Sequence, residues 1–346
     1  MNTSSSNGES QTVRLLAQNA TILICPVCSG HLFVACKLVT CQFCGKQFSV
    51  EQGIPQLFWM HDWSADKPDV TEAIQAFYEK TPFPNYDELD SSATLREKAV
   101  RGMFARLVDE QVPFGSMVLE IGCGTGQFSN FLGTTWGRTV FATDACMNSL
   151  KLAEGFRRAN QIKNVAFLQM NLFRPVFRPQ SFDFAICNGV LHHTADPFLG
   201  FQTIAKLVKP GGVILIGLYN KYSRLVTDAI GVALRLSGDR LRILDPRLRE
   251  KDADKLRQHT WFMDRFKNPH ESKHSIGEVQ QWFDAAGFDF LNSIPKANGG
   301  RFSATEKLFE AHPKGSAFEQ FVAQFRELLA GGRDGGLFVM IGRKRK

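Results

Sequence analysis

The sequence predicts an α/β fold built on a doubly wound, mostly parallel sheet, and three observations support that prediction. Apolar, strand-like runs alternate with helical stretches from about residue 117 onward, as a parallel sheet requires. The first of these runs ends in a glycine-rich turn that opens into a helix. Two Cys-x-x-Cys pairs stand well before it, which indicates a separate small metal-binding module at the front of the chain.

The glycine-rich turn has the pattern Glu-x-Gly-x-Gly-x-Gly, from Glu120 through Gly122, Gly124 and Gly126. Glycine lets backbone N–H groups approach a ligand closely, and the helix start that follows favours the same contact. The dinucleotide fingerprint G-x-G-x-x-G holds a pyrophosphate, which a carboxylate at Glu120 would repel. The turn therefore indicates a ligand that brings a cationic group to this carboxylate.

Three later strands also end in polar side chains. Asp144 ends the second strand, 22 residues after Gly122, which is about the separation at which one βαβ unit brings an acid to a ribose. Asn171 and Leu172 follow the third strand, and Asn188 ends the fourth. Ligands of open α/β sheets bind beyond the carboxyl ends of the strands, so we expect these residues at the site. A cap on the next helix is the alternative role for Asp144, and both roles are compatible.

The glycine turn, the run Leu191-His192-His193 and the Lys-Pro-Gly-Gly turn at 209–212 resemble, in that order, the motifs of class I S-adenosylmethionine-dependent methyltransferases. The resemblance implies a seven-stranded Rossmann-like methyltransferase sheet in the order 3-2-1-4-5-7-6, with an antiparallel seventh strand. It also implies S-adenosylmethionine as the cofactor, with Asn171 accepting from the adenine where the family usually has an aspartate. The cofactor-binding residues it implies are Glu120, Gly122, Cys123, Gly124, Gly126, Asp144, Asn171, Leu172 and Asn188.

Candidate catalytic groups lie in the loop after the fourth strand. Methyl transfer from a sulfonium is an in-line displacement, so the protein chiefly supplies positioning and water exclusion. An oxygen or nitrogen acceptor also has to lose a proton, and His192 and His193 are the best-placed bases because imidazole titrates near neutrality. One of the two is expected to hold the loop instead, and the sequence does not separate them. Tyr219, at the end of the fifth strand, is expected to orient the acceptor.

The two Cys-x-x-Cys pairs are Cys25 with Cys28 and Cys41 with Cys44, separated by twelve residues. Two such knuckles complete the tetrahedral thiolate site that Zn²⁺ prefers, and a four-thiolate site is closed to catalysis. Iron also fits such a site, but zinc is the default. We therefore predict a structural zinc ribbon, which resembles the ribbon preceding many bacterial methyltransferase domains and the N-terminal zinc finger of ribosomal-RNA guanine methyltransferases. With no export signal, we expect reduced cysteines and a cytoplasmic protein.

The predicted organisation has four parts, of which the last carries two inserts. They are a disordered tail (1–20), a zinc ribbon (21–60), a linker with N-terminal helices (61–114) and a methyltransferase domain (115–346) with a helical lid insert (about 220–274) and a second insert (about 295–335). In the lid insert, apolar residues from Tyr222 to Leu234 recur at helical spacing. We expect this stripe to pack on the core, and the alternative is an apolar substrate pocket or an edge that touches a membrane surface.

The lid insert also contains the zinc-peptidase pattern H-E-x-x-H at residues 270–274. That chemistry needs both histidines on one helical face. Pro269 precedes the pattern and Ser275 is placed to cap the next helix, so we expect the segment to be non-helical and not a peptidase site.

Charge and composition leave three functions open. The net charge of +7 is concentrated in the lid insert and in residues 343–346, which either form a solvated surface or face an acidic substrate. No apolar run approaches the ~20 residues that span a bilayer. The apolar, aromatic lid favours methyl transfer to an O, N or C acceptor on a small or lipid-like molecule. The alternatives are an RNA base methyltransferase, suggested by the ribbon and the basic insert, and a non-catalytic cofactor-binding scaffold whose ribbon docks a protein partner.

Overall fold

The computed structural model describes residues 10–64, 69–84, 86, 90–238, 240, 255–329 and 336–346. A small sheet contains β1 (Leu32–Val34), β2 (Leu38–Cys41), β3 (Gln47–Glu51) and β4 (Ile54–Pro55). A large sheet contains β5 (Met117–Ile121), β6 (Thr139–Asp144), β7 (Val165–Gln169), β8 (Phe182–Asn188), β9 (Val208–Tyr219), β10 (Phe288–Ile294) and β11 (Leu337–Lys344). The helices are α1 (Gln11–Gln18), α2 (Thr71–Lys80), α3 (Ser92–Arg101), α4 (Met103–Gln111), α5 (Gln127–Gly133), α6 (Met147–Ala159), α7 (Pro197–Leu207), α8 (Leu225–Ser237), α9 (Lys255–Phe266), α10 (Ile276–Ala285) and α11 (Ala317–Leu329).

The large sheet is mixed, and its strands lie in the order β10-β11-β9-β8-β5-β6-β7. Strands β5 to β9 are parallel, whereas β11 runs antiparallel to β9 and to β10. Numbered along the domain, this is the predicted order 3-2-1-4-5-7-6, so the predicted fold class is confirmed. Every residue of β7 is buried, as expected for a parallel strand that is covered on both faces.

The small sheet attaches to the open edge of the large one. Gln56 pairs in parallel with Gln169 at the end of β7, and the N–H of Leu57 donates to the carbonyl of Gln169 at 3.0 Å. A second bridge joins Leu23 to Phe177. The ribbon therefore covers an edge whose backbone groups would otherwise be unpaired. The limits predicted for the four parts of the chain stay predictions.

The predicted disordered tail over residues 1–20 is wrong for its second half. There α1 begins after Ser10, whose side chain accepts from the N–H of Val13. Val13 and Leu16 are completely buried, and α1 packs against β7. The helix forms because a short apolar stripe finds a hydrophobic surface, so tertiary packing overrides a locally polar composition. Residues 1–9 lie outside the described part of the chain.

The lid insert supplies α8 and α9, and residues 241–254 between them, with their dense charges, lie outside the described residues. The predicted packing of the apolar stripe on the core holds only in part. Leu234 is buried, but Leu225 and Val226, which belong to the same stripe, are about half exposed. Only one side of α8 packs against the rest of the protein. Side chains of α9 instead line part of a large cavity, which is described below.

Candidate active site and metal centre

A cavity of about 470 Å³ opens at the carboxyl ends of the parallel strands. Part of its wall is the glycine turn with the ends of β6, β7 and β8, and another part comes from α2 and α9. This is where open α/β sheets bind their ligands. The wall contains every predicted cofactor-binding residue except Gly126, and among the predicted catalytic residues it contains His193 and Tyr219 but not His192.

The glycine turn is tightly covered by neighbouring segments. Gly122, Gly124 and Gly126 have φ values of 69°, 52° and 71°, in the left-handed region that glycine tolerates best. A Cβ at Gly124 would overlap the carbonyl oxygen of Phe83, and one at Gly122 would overlap Val190. The loop after α2 therefore lies directly on the turn, so the turn needs glycine for both its conformation and its packing.

Glu120 brings a carboxyl group to the cavity wall. The side chain is 6% exposed, and its Oε2 accepts from the hydroxyl of Ser129. Burial raises the pKa of Glu120 to about 8, and the nearby charge of Asp144 acts in the same direction. A buried carboxyl of this kind ionises readily only when a cation reaches it, as predicted for the ligand.

The N-cap of α6 is Cys146, whose side chain accepts from the N–H of Ser149, so Asp144 is not the cap of that helix. The ribose contact stays a prediction. Asp144 instead orders the backbone at the end of β6. Its Oδ2 accepts from the N–H of Gly124 and its Oδ1 from the N–H of Cys146, both at 2.8 Å. The first bond ties β6 to the glycine turn, and the second orders the turn into α6. A further backbone bond comes from Ala145, and the carboxylate keeps lone-pair capacity for a ligand hydroxyl in the cavity.

Both polar atoms of the Asn171 side chain already form hydrogen bonds within the chain, which the sequence did not indicate. Its Nδ2 donates to the carbonyl of Trp59 at 2.9 Å, and its Oδ1 accepts from the N–H of Phe173 at 3.0 Å. The amide thus joins the end of β7 to the last residues of the ribbon, and Oδ1 keeps one lone pair for an adenine amino group. Leu172 and Asn188 line the cavity beside it.

His192 is buried behind the cavity wall. Its ring lies 3.8 Å from the ring of Tyr219, centroid to centroid, and its Nδ1 accepts from the N–H of Tyr219 at 3.3 Å. The proton is therefore on Nε2, which has no partner among the described residues. Burial holds the pKa of His192 well below its usual value, so this ring is a neutral packing element that supports Tyr219.

His193 has the opposite arrangement. Its Nδ1 lies 2.8 Å from the carbonyl oxygen of His270 and must donate, because a carbonyl only accepts. The lone pair is therefore on Nε2, and the side chain lines the cavity. Burial lowers the pKa of His193, so the neutral ring predominates at neutral pH. The geometry thus separates two histidines that the sequence could not separate.

Tyr219 is held from two directions, by His192 and by the guanidinium of Arg224, which lies 3.9 Å from its ring centroid. Arg224 is itself buried and forms an ion pair with Glu271. A ring fixed in this way suits the orienting role that was predicted for Tyr219.

Among the cavity residues that sequence reasoning missed are Tyr78 of α2 and Asp264 of α9. The hydroxyl of Tyr78 donates to Oδ1 of Asp264 at 2.7 Å. The two positions are 186 residues apart, and neither belongs to a recognisable motif. The sequence feature that could have indicated these positions is the aromatic residue near each of them, such as Phe83 and Trp261. Both Phe83 and Trp261 also line the cavity.

The H-E-x-x-H segment is non-helical, as predicted, and its histidines have separate partners. His270 donates from Nε2 to the carbonyl of Thr194 at 3.1 Å, whereas His274 pairs with Glu278 at 2.7 Å. The N–H of Ser272 also donates to the carbonyl of His192, at 2.7 Å. The segment therefore clamps the histidine loop in place.

The four ribbon cysteines meet at one point. Their sulfur atoms all lie within 4.8 Å of one another, with 3.4 Å between Cys28 and Cys41 and 3.9 Å between Cys25 and Cys44. A tetrahedral ion with sulfur ligands at ~2.3 Å spaces them about 3.8 Å apart, so the cluster fits zinc. Backbone N–H groups of Val27, Phe43 and Cys44 point at these sulfurs, as in Cys-x-x-Cys knuckles.

Comparison with known proteins identifies the family. A family model described as a methyltransferase domain matches residues 93–293. The chain belongs to this family. The resemblance to class I S-adenosylmethionine-dependent methyltransferases is thereby confirmed, whereas the zinc ribbon rests on the cysteine cluster alone.

The curated relatives are distant. An uncharacterized protein of Synechococcus sp. is 26% identical over 254 residues, covering 66% of this chain and 61% of that protein. A ubiquinone biosynthesis O-methyltransferase of Paracidovorax citrulli is 30% identical over 117 residues, 34% of this chain and 49% of that enzyme. A demethylmenaquinone methyltransferase of Bacillus licheniformis is 25% identical over 147 residues, 42% of this chain and 61% of that enzyme. The chain thus spans about half to three-fifths of the length of these relatives.

Among solved structures, PKMT2 from Rickettsia typhi aligns with a TM-score of 0.50 and 12% identity, covering 75% of this chain and 56% of that one. At this identity the likeness shows the fold alone. Within the described residues, none of the helices combines the length and the apolar character needed to cross a membrane.

Proposed function

We propose that this chain transfers the methyl group of S-adenosylmethionine to a hydroxyl oxygen on a small, ring-bearing apolar molecule, with His193 as the general base. The observation that carries the proposal is the hydrogen bond from His193 Nδ1 to the carbonyl of His270. With its proton on Nδ1, the imidazole presents a lone pair at Nε2 in the cavity wall. Such a base suits an acceptor that must lose a proton as it reacts.

The acceptor class is supported by the cavity and by the names of two relatives. Tyr78, Phe83, Tyr219 and Trp261 line the cavity, and aromatic rings of this kind pack favourably against a planar ring. The Paracidovorax citrulli relative is named for ubiquinone biosynthesis and the Bacillus licheniformis relative for demethylmenaquinone. Together these observations favour a hydroxylated, quinone-like ring with an apolar substituent.

The cofactor site would work through the residues at the strand ends. When bound, S-adenosylmethionine supplies an electrophilic methyl group on a sulfonium. Glu120 would pair with the ammonium group, and Asp144 would accept from ribose hydroxyls through the lone pairs that its backbone partners leave unused. Side chains of α2 and α9 would exclude water, which an in-line displacement requires.

We further propose that Cys25, Cys28, Cys41 and Cys44 bind a structural Zn²⁺. Four thiolates fill the coordination sphere, so the ion would hold the ribbon together and would not touch the acceptor. The ribbon has too small a core to fold without such a crosslink. Its fold matters for the active site because the backbone carbonyl of Trp59, at the end of the ribbon, accepts the hydrogen bond from Asn171.

A labelled-methyl experiment tests the acceptor class. The purified chain is incubated with methyl-labelled S-adenosylmethionine and a cell extract, which is then separated into organic-soluble, RNA and protein fractions. We expect label in an ether linkage within the organic-soluble fraction. Label in RNA would replace the proposal with the RNA alternative, and the absence of label from every fraction would favour the scaffold.

Two variants make the experiment specific. His193→Gln should lose transfer while its affinity for the cofactor is unchanged, because the imidazole is expected to act on the acceptor alone. His31→Gln is the matched control, since His31 is an exposed ribbon histidine that does not line the cavity. Equal transfer by both variants would remove His193 from the mechanism.

A further inference from the structure

The cavity wall contains a buried hydroxyl–carboxyl pair that no sequence motif accounts for. Tyr78 comes from α2 and Asp264 from α9, and both side chains line the same cavity as His193. Asp264 is 7% exposed, so its carboxyl group has little contact with bulk water. A buried carboxyl group is costly unless it is hydrogen bonded, which makes its partners informative.

The hydrogen bonds at Asp264 favour its ionised form. The amide Nδ2 of Asn268 donates to the hydroxyl oxygen of Tyr78 at 3.1 Å. The Tyr78 hydroxyl in turn donates to Oδ1 of Asp264 at 2.7 Å. This chain of donors ends on Asp264 and opposes the effect of burial, which is larger and raises the pKa of Asp264.

The pair lies beside the proposed base. The ring centroids of Tyr78 and His193 are 6.3 Å apart, with the rings at 66° to each other. Ionisable groups from several other elements also surround His193: His192 in the same turn, Tyr219 at the end of β9, Arg224 before α8, Asp264 on α9, and His270 with Glu271 after α9.

Most of these charges offset one another. Burial lowers the pKa of His193, Arg224 acts in the same direction, and Asp264 and Glu271 act against it. Glu271 forms an ion pair with Arg224, so the fields of these two groups largely cancel at the imidazole. Asp264 is instead held by the neutral hydroxyl of Tyr78, so its negative charge still acts on His193.

We propose that Asp264, held by Tyr78, is a positioning residue that stabilises the imidazolium of His193 formed during methyl transfer. The inference rests on the proposed function. In the reaction, the O–H bond of the acceptor breaks and its proton goes to Nε2 of His193. The oxygen forms a bond to the methyl carbon while the carbon–sulfur bond breaks, and sulfur keeps that electron pair. The His193 proton then passes to solvent.

The direct test is the titration of His193 in the full chain without any acceptor. Histidine side chains are ¹⁵N-labelled, and the signal of His193 is assigned from its loss in His193→Gln. Asp264→Asn keeps the shape and an oxygen that can accept from Tyr78, but it removes the charge. We expect the titration midpoint of His193 to move to lower pH in Asp264→Asn and to stay unchanged in the control Asp284→Asn, an exposed acid of α10.

Turnover gives a second readout that a purely structural role would not move in the same way. With the acceptor from the labelled fraction, Asp264→Asn should lower the single-turnover rate roughly tenfold at unchanged cofactor affinity, and Asp264→Glu should restore part of the rate. An unchanged His193 midpoint in a folded Asp264→Asn protein would overturn the inference. Full transfer by His193→Gln would instead overturn the proposed base, while the coupling measured by titration would stand.

Discussion

Glu120 leads to the most quantitative prediction, because its carboxyl group is buried where a cation is expected. Its pKa of about 8 leaves about nine in ten of these carboxyls protonated at pH 7. An ammonium group beside it returns the pKa toward its ordinary value near 4, so the carboxyl ionises as the ligand binds. Binding should therefore release about 0.9 proton per site at pH 7 and about 0.1 at pH 9.

The raised pKa of Glu120 also determines how cofactor affinity depends on pH. Only the ionised carboxylate pairs with the ammonium, and the ionised fraction of Glu120 rises nearly tenfold between pH 6 and pH 7. Affinity should rise in proportion over this range and level off above pH 8. Isothermal titration calorimetry with S-adenosylhomocysteine, in buffers of different ionisation enthalpy, measures both the released protons and the affinity.

Two variants make this prediction refutable. Glu120→Gln keeps the shape of the side chain but carries no titrating proton, so its proton release should be near zero at pH 7. Glu110→Gln is the matched control, since Glu110 is an exposed acid of α4 that pairs with Arg106. Equal proton release by wild type and Glu120→Gln would refute the assignment of the buried carboxyl to the cationic group.

Three further predictions follow from the site. Gly124→Ala should lower the free energy of unfolding by about 2 kcal/mol and cofactor affinity at least tenfold, because its Cβ would overlap a backbone oxygen at positive φ. The control is Gly155→Ala, which has nothing within 4 Å of its Cβ. In thermal melts it should be neutral or stabilise α6. Cys28→Ser should lose bound zinc and melt at lower temperature, whereas the exposed Cys36→Ser should keep one zinc per chain by elemental analysis. The transfer rate should fall as acid protonates His193, with a midpoint below the usual histidine value because burial lowers its pKa; a midpoint above that value in the pH–rate profile would contradict the base assignment.

The parallel strands and the cofactor end of the site were predictable because they depend on local patterns, whereas the strand order came from the family resemblance. Each strand of the parallel sheet is an apolar run that ends at a polar or glycine residue, and parallel strands bring their carboxyl ends to one edge. Glu120, Asp144 and Asn188 therefore converge without any knowledge of tertiary contacts. The antiparallel last strand came from the resemblance and was also correct.

The parts that sequence reasoning missed depend on contacts between distant segments. The helix α1 forms because Val13 and Leu16 find the surface of β7, and nothing in the local composition signals that surface. The two histidines have the same side chain and adjacent positions, and they differ only through distant partners: His193 donates to the carbonyl of His270, whereas His192 accepts from the N–H of Tyr219. Tyr78 and Asp264 meet across 186 positions, so their pairing has no sequence signature.

The exposed apolar side of α8 is a case in which the sequence pattern predicted the helix but not which of its residues are buried. Helical spacing of apolar residues predicts an amphipathic helix, and a helix is present at Leu225–Ser237. The spacing does not say which part of the stripe meets the core. In the structure Leu234 is buried and Leu225 is 52% exposed, so the stripe is wider than the surface that covers it.

The proposed reaction depends on His193, which would take the acceptor's proton while the chain transfers a methyl group to oxygen. It is tested by the single-turnover rate of methyl transfer to the organic-soluble acceptor, for wild type, His193→Gln and His31→Gln, with cofactor affinity measured in parallel. We expect a loss of about a hundredfold or more for His193→Gln alone, at unchanged cofactor affinity. A His193→Gln rate equal to that of wild type and His31→Gln would contradict it.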